Sequence, residues 1–210
     1  MQTAEPSAPP SKAEAAARAE RAAISALDNN SLIIRLHFTV NHLSRWLTPI
    51  HEPTRLMRSV RRGEPSVKDL LLELRAEEQR VFPKMYAISV KTLPNLDKLP
   101  PAVTTPAEAA ADRIATPLEV LSQFRRLRQS TCSLLRGLPD AAWEREGISR
   151  REHDWTIRGL AGHLARHDLV VLRDIDLTLD RLGAREGLSP AARTPIDELL
   201  LTLAPGVPRH

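Results

Sequence analysis

The sequence has a single cysteine, Cys132, among its 210 residues. One cysteine cannot form an internal disulfide, and it cannot supply a cysteine-rich zinc or iron-sulfur site. The longest apolar runs, such as residues 169–172, cover about one helical turn, whereas a membrane-spanning helix needs about 20 apolar residues. The first residues do not form a basic segment followed by an apolar stretch, which is the pattern of a secretory signal. These absences predict a cytoplasmic protein with no membrane partner.

Glycines and aromatic residues are also scarce. Eight glycines are present, and they do not form the glycine-rich loop that wraps a nucleotide phosphate. Three tryptophans, three phenylalanines and one tyrosine offer few surfaces on which nucleic-acid bases could stack. The 30 basic residues are dispersed among 26 acidic ones, giving a net charge of +4 without a dense basic run. We therefore expect neither a nucleotide cofactor nor a nucleic-acid partner.

Helical periodicity dominates the middle of the chain. Apolar residues recur at three- and four-residue steps in four segments, and strand-like alternation is not seen. The predicted helices cover residues 32–47, 66–90, 117–136 and 156–182. This pattern predicts an all-α protein built as a four-helix bundle.

Capping residues and prolines predict where these helices begin and bend. Ser66 and Thr116 each precede an acidic residue by three positions, which is the spacing of a capping box or a close variant of it. Asp154 or Thr156 can cap the last bundle helix. Pro83 is expected to kink the second helix, because proline removes a hydrogen-bond donor and clashes with the preceding turn.

The rest of the chain is predicted to flank or connect the bundle. Residues 1–26 lack an apolar face wide enough to anchor a helix, so we expect a mobile N-terminal arm, helical at most near its end. Residues 27–185 form the bundle, and residues 186–210 form a C-terminal extension with a short helix that opens at Thr194. Residues 92–116 contain four prolines and no sustained period, which predicts a long irregular connection.

Two histidines, His163 and His167, lie four residues apart in the last predicted bundle helix. Both imidazoles therefore occupy one helix face about one turn apart, where two ring nitrogens can converge on a single cation. Glu73 and Glu77 have the same spacing in the second predicted helix. A carboxylate with two histidines is a common ligand set for a divalent metal ion.

A simpler interpretation of the acidic residues is also open. Glu73, Glu77 and Glu78 can form the solvated face of an amphipathic helix and pair with Arg75 and Arg80, which is the usual arrangement of such charges. In that case the two histidines are packed residues rather than ligands.

Two segments of the sequence resemble the DinB-like superfamily. They are residues 66–78, SVKDLLLELRAEE, and residues 154–168, DWTIRGLAGHLARHD. The resemblance covers roughly residues 32–183, and its second motif is more specific than its first. It implies a four-helix bundle, often dimeric, in which one histidine of the second helix and a histidine pair of the last helix bind a divalent metal ion.

The resemblance also implies which residues of this chain are the ligands. His163 and His167 match the histidine pair, whereas the position of the first histidine holds Glu73. A carboxylate there either favours a harder ion or changes the charge balance of the site, or it marks a site that has decayed to a structural remnant. Glu77 is the alternative ligand, one turn further along the helix. The ion implied is Zn, Ni, Mn or Fe.

Two classes of function follow from this resemblance. The first is a metal-dependent thiol transferase, isomerase or hydrolase that acts on a small molecule. Its thiol would be a low-molecular-weight co-substrate, activated because a metal-bound thiol is deprotonated, and basic residues between Arg55 and Arg62 could receive an acidic one. The second is a non-catalytic helical bundle that binds a ligand or is associated with stress, with a degenerate metal site. Both are expected to be homodimers.

The remaining candidate residues are expected to be structural. His42 is predicted to lie at the surface, and His153 to cap a helix or face solvent. Cys132 is predicted to pack in the core, since neither a base nor a helix start adjoins it to lower its pKa. The three tryptophans can line a pocket, but tryptophan in a protein with few aromatics is more often core.

Overall fold

The computed structural model describes residues 12–153 and 155–201. Helices account for most of this length, and two short strands and three short 3-10 helices, Pro53–Met57, Leu96–Lys98 and Asp140–Glu144, complete the regular structure. The helices are α1 (Lys12–Ser25), α2 (Asn29–Leu47), α3 (Val67–Val90), α4 (Pro106–Ile114), α5 (Pro117–Arg136), α6 (Ile157–Arg181), α7 (Pro190–Arg193) and α8 (Ile196–Leu201).

The four longest helices, α2, α3, α5 and α6, form a four-helix bundle, and this prediction is confirmed. Both α2 and α3 pack against α5 and α6, so α2 and α3 stand at opposite corners. The first two bundle helices in the sequence therefore lie diagonally across the bundle from each other. As a result, α3 and α6 lie side by side and bring the predicted ligand helices together.

The predicted capping residues begin these helices. The Ser66 hydroxyl accepts a hydrogen bond from the Asp69 backbone N–H, and the Asp69 carboxylate accepts one from the Ser66 backbone N–H. Thr116 forms the same capping box at the start of α5. Thr156 caps α6 by accepting from the Gly159 backbone N–H, whereas Asp154 lies outside the described residues. These caps satisfy backbone donors that a helix start leaves unpaired.

Pro83 is tolerated inside α3, which continues past it to Val90. Proline here leaves the backbone carbonyl of residue 79 without its usual helical donor. The bundle packing of α3 against α5 and α6 compensates for that loss, since most helix stability in proteins comes from tertiary packing.

An ionic network lies at the centre of the bundle. Arg128 of α5 is fully buried and bonds to Glu78 of α3 (Nε to Oε2, 2.8 Å) and to Asp168 of α6 (Nη1 to Oδ2, 2.5 Å). Thr131 donates to the second oxygen of Glu78, and Thr39 of α2 donates to Asp168 at 2.7 Å. All four bundle helices meet in this network. Glu78 is therefore not part of a solvated face, and the expectation for that residue is corrected.

The connection between α3 and α5 is more regular than expected. The segment predicted to be wholly irregular contains α4, which begins with a capping box between Thr105 and Glu108 and has Pro106 in its first turn. All the residues of α4 are partly or fully exposed, so its sequence lacks the apolar period by which a packed helix is detected. Its Asp112 accepts hydrogen bonds from Arg75 of α3, which ties the helix to the bundle.

The connection between α5 and α6 contains a small hairpin that the sequence pattern did not indicate. Strand β1 (Glu146–Gly147) pairs antiparallel with β2 (Trp155–Thr156). Each strand has two residues, which is too short for alternation to be visible. Gly147 is needed here because a Cβ atom would lie 2.8 Å from the Leu96 side chain and 2.9 Å from that of Ile88.

Both chain ends that the structure describes contact α6. The N-terminal helix α1 extends over much of the segment expected to be a mobile arm, and Ile24 near its end is buried in the core. Arg173 of α6 joins Glu20 of α1 (Nη1 to Oε2, 2.7 Å) to Asp197 of α8 (Nη2 to Oδ1, 3.0 Å). The short C-terminal helix is confirmed as α8. Residues 1–11 of the arm and 202–210 of the extension lie outside the described residues.

None of the helices that the structure describes is both long enough and apolar enough to span a membrane.

Candidate metal site

The four predicted ligands lie on facing turns of α3 and α6 and form two histidine–carboxylate pairs. His163 pairs with Glu77, and His167 pairs with Glu73. Both pairs use the Nε2 atom of the histidine and the Oε1 atom of the glutamate. The equal four-residue spacing on the two helices is what places the pairs one turn apart.

The inner pair is short and partly buried. His163 Nε2 lies 2.5 Å from Glu77 Oε1, and the side chains are 28% and 14% exposed. Burial alone would raise the pKa of Glu77, but hydrogen bonds from His163 and Arg80, together with their charges, hold that pKa well below its usual range. Glu77 is therefore a carboxylate at neutral pH, and as a carboxylate it accepts the hydrogen bond that joins it to His163.

Arg80 completes the inner pair. Its Nε donates to Glu77 Oε2 at 2.9 Å and its Nη2 donates to Glu77 Oε1 at 2.5 Å. The same Nη2 lies 3.2 Å from His163 Nε2. An imidazole nitrogen that already donates a proton to Glu77 cannot accept one from Arg80, so this contact is a close approach of two donors rather than a second hydrogen bond.

The outer pair is looser. His167 Nε2 lies 3.3 Å from Glu73 Oε1, and the Glu73 side chain is 54% exposed. Among the described residues, the buried Nδ1 atom of His167 has no hydrogen-bond partner in the protein. This pair is therefore less constrained, and each of its members can take another partner.

The donor set suits a divalent ion in its chemistry, because imidazole nitrogens and carboxylate oxygens are the usual ligands of Zn²⁺ and related ions. The donors are arranged as two pairs rather than as one convergent set. The ring centroids of His163 and His167 are 6.5 Å apart, and within residues 12–153 and 155–201 no three His, Cys, Asp or Glu side chains group as metal ligands. Side-chain rotations would have to bring a third donor to either pair.

Trp155 and Glu152 border the inner pair from the hairpin side. The Trp155 ring meets His163 edge-on at a centroid distance of 5.4 Å, and its Nε1 donates to Glu152 Oε2 at 2.9 Å. Glu152 also accepts from Lys84 at 2.8 Å and lies 3.5 Å from Arg80 Nη1. Nothing in the sequence indicated a role for Glu152. It lies four residues before Thr156, the cap of α6, in a segment whose pattern does not show that it faces α3.

A cleft of about 1110 Å³ opens on the other side of Arg80, between α3, α4 and α5. Arg80 and Glu152 line this cleft, but the four predicted ligands do not. Its walls mix basic side chains with apolar ones, among them Arg126, Arg151, Pro83, Leu99 and Val103. Arg80 thus stands between the histidine–carboxylate pairs and this cleft.

The other candidate residues have structural positions. His42 is buried, not exposed as expected, because it packs between Phe38 and Trp46 of its own helix. His153 is exposed, and its ring lies tilted against that of Trp155 at a centroid distance of 3.8 Å. Cys132 is buried in the core, as predicted, and burial raises the pKa of its thiol to about 11. A thiol with so high a pKa is not a nucleophile at neutral pH.

Two solved structures have the same fold as this chain. One is YfiT from Bacillus subtilis, described as a probable metal-dependent hydrolase with an unusual four-helix bundle topology; it is 16% identical, covers 86% of this chain and 94% of its own, and has a TM-score of 0.60. The other is the mycothiol-dependent maleylpyruvate isomerase, 13% identical, with a TM-score of 0.52 over 70% of this chain. This chain covers 60% of the isomerase.

The likeness to these structures confirms the four-helix-bundle fold that the sequence predicted. Identities this low establish the fold, whereas activity resides in particular side chains. No family model and no curated protein matches the sequence. Functional arguments for this chain therefore depend on its own residues.

Proposed function

We propose that this protein binds a divalent metal ion and catalyses a reaction of the hydrolase, isomerase or thiol-transferase type on a small molecule. The ion, Zn, Ni, Mn or Fe, is held by His163, His167 and Glu73, with Glu77 as the alternative carboxylate. The observation that supports this most strongly is the meeting of two histidine–carboxylate pairs across α3 and α6.

When bound, such an ion acts as a Lewis acid and lowers the pKa of a bound water or thiol. The protein's own residues have different roles. The two histidines would hold the ion, the glutamates would neutralise its charge, and the Trp155 ring lies edge-on to His163. The nearby cleft has the size of a small-molecule site. Because Cys132 is buried, a thiol would have to come from a low-molecular-weight co-substrate.

A second candidate is a non-catalytic bundle whose metal site is degenerate. The observation that favours it is Arg80, whose guanidinium already supplies Glu77 with a positive charge. In this case the two pairs contribute to stability, and the protein binds a ligand or a partner without chemistry at this site.

Metal binding separates the two candidates. Purified protein is treated with a chelator, dialysed and titrated calorimetrically with Zn²⁺, Ni²⁺, Mn²⁺ or, without oxygen, Fe²⁺. We expect one ion per chain for at least one metal. His163→Ala and His167→Ala should each weaken binding as strongly as the double change, and Glu73→Gln should weaken it less if Glu77 substitutes. His153→Ala is the control and should leave binding unchanged. If none of the four metals binds at one ion per chain, the result favours the non-catalytic bundle.

We also propose that the protein is a cytoplasmic homodimer. Exposed apolar side chains on α2 and α6, Ile34, Val170 and Leu177, support an interaction between copies. Sedimentation equilibrium at micromolar concentration tests it, and a mass near the 23.4 kDa of one chain would contradict it.

A further inference from the structure

Arg80 has carboxylates on two sides. Glu77 holds its Nε and Nη2 atoms with two hydrogen bonds, and Glu152 lies 3.5 Å from its Nη1. The Arg80 and Glu152 side chains are each 38% exposed, so neither is locked by packing. The guanidinium therefore already has Glu152 as a second ion-pair partner besides Glu77.

The position of Arg80 conflicts with a metal ion on the inner pair. A ligand nitrogen lies about 2.1 Å from Zn²⁺, but the cationic Nη2 of Arg80 is 3.2 Å from His163 Nε2 and bonds to the same Glu77 oxygen. Two cations cannot share that carboxylate oxygen and nitrogen at these distances without strong repulsion. Binding of a divalent ion there requires Arg80 to leave.

We infer that Arg80 is a resident counter-cation that competes with the divalent ion for Glu77 and His163, and that its existing ion pair with Glu152 holds it when the ion displaces it from Glu77. This inference rests on the proposed metal-binding function. Without metal, Arg80 neutralises Glu77 and keeps the pair together. With metal, Arg80 loses Glu77 and keeps Glu152, and because both Arg80 and Glu152 line the cleft, metal binding rearranges the charges on the cleft wall.

Glu152 is suited to this role because it already accepts hydrogen bonds from two other side chains. It accepts from Lys84 and from the Trp155 indole N–H. A carboxylate with two oxygens can accept a further donor, and the added positive charge of Arg80 is favourable there. The Trp155 indole, hydrogen-bonded to Glu152 and edge-on to His163, lies where this change of partner would alter its surroundings.

The test is a calorimetric titration with Zn²⁺ alone of the chelator-treated protein and of Arg80→Gln. Arg80→Gln should bind Zn²⁺ about tenfold or more tightly than the unmodified chain, which corresponds to ~1.4 kcal/mol. Lys84→Gln is the matched control, because Lys84 lies one turn from Arg80 on α3 and directs its hydrogen bonds to Glu152. The Zn²⁺ affinity of this variant should stay close to that of the unmodified chain. Circular dichroism confirms that each variant retains its helices.

A second variant tests whether Glu152 holds the Arg80 side chain when the metal ion binds. Glu152→Gln removes the receiving charge and should weaken Zn²⁺ binding in the unmodified background but not in the Arg80→Gln background. Equal Zn²⁺ affinity of the unmodified chain and Arg80→Gln overturns this inference and leaves the proposed function standing. Absence of Zn²⁺ binding by both overturns the inference and counts against the proposed function, whereas binding by Arg80→Gln alone supports the competition.

Discussion

Two clusters of charge occupy neighbouring residues on the same two helices and have opposite surroundings. Glu77 and Glu78 are adjacent on α3, and His167 and Asp168 are adjacent on α6. Glu78 and Asp168 point into the bundle and enclose Arg128, and each nitrogen and oxygen of these three charged groups is hydrogen-bonded. Glu77 and His167 lie at the edge of the bundle, where partners are shared and one ring nitrogen is left over.

This difference in burial and pairing gives the two clusters different roles. The inner network around Arg128 fixes the fold, whereas the residues at the edge of the bundle can exchange partners. A buried charge whose atoms are all paired has no lower-energy alternative, so the inner network holds α2, α3, α5 and α6 in one arrangement. At the edge, water and a second carboxylate offer alternatives to each contact. A ligand can therefore enter the edge cluster without unfolding the bundle.

The largest expected effect is on the inner network. Arg128→Met leaves Glu78 and Asp168 as neighbouring buried carboxylates without a counter-charge, and it should lower the free energy of unfolding by about 3–5 kcal/mol. Urea denaturation followed by circular dichroism measures this. Arg126→Met, an exposed residue on the same helix, is the control and should change stability by less than about 0.5 kcal/mol. Similar values for the two variants would mean that the network is not what holds the helices.

The sequence predicted the bundle well because its signals are local. Apolar spacing and caps such as Ser66, Thr116 and Thr156 determine where a helix begins, and neighbours in the chain suffice to show them. The inner network gave no such signal. Arg128 stands in an arginine-rich stretch and Glu78 follows another glutamate, so only the packing of three helices shows that these two charges are buried.

The site was predictable in its members but not in its geometry. The four-residue spacings of the histidines and glutamates predicted that they would share helix faces, and α3 and α6 do bring them together. The spacing could not show that they meet as two pairs, or that Arg80 takes part. The pairing of Arg80 with Glu77 was one of the alternatives. Its contact with His163 depends on the packing of α3 against α6, and its nearness to Glu152 depends on the hairpin before α6.

His42 offers an intermediate test, since it is buried like the inner network but lacks its partners. Among the described residues, neither of its ring nitrogens has a hydrogen-bond partner. Burial first, and then the charges of Arg45 and Arg35, lower its pKa from about 6.5 to about 4. The unfolded chain therefore takes up a proton below pH 6.5 that the folded chain refuses until about pH 4, so stability falls as the pH falls through this window.

The size of this effect can be isolated with His42→Leu. Between pH 7.5 and pH 5 the unmodified chain should lose about 2 kcal/mol more stability than the variant does, from the difference in proton uptake. Urea denaturation at the two pH values gives both slopes. Parallel slopes for the two proteins would show that His42 is protonated in the folded chain and that its burial has no consequence for acid stability.

The smallest effects are expected within the edge cluster, where they distinguish its two pairs. In chelator-treated protein, Glu77→Gln removes the charge that both His163 and Arg80 use, and it should cost about 1 kcal/mol of stability because Glu77 is largely buried. Glu73→Gln changes an exposed residue with one long contact to His167, and it should cost less than about 0.5 kcal/mol. Thermal unfolding of both variants, compared at one pH and one salt concentration, gives the difference. If Glu73→Gln lowers stability as much as Glu77→Gln does, the outer pair is as constrained as the inner one. His167 then belongs with the residues that fix the fold rather than with those that can exchange partners.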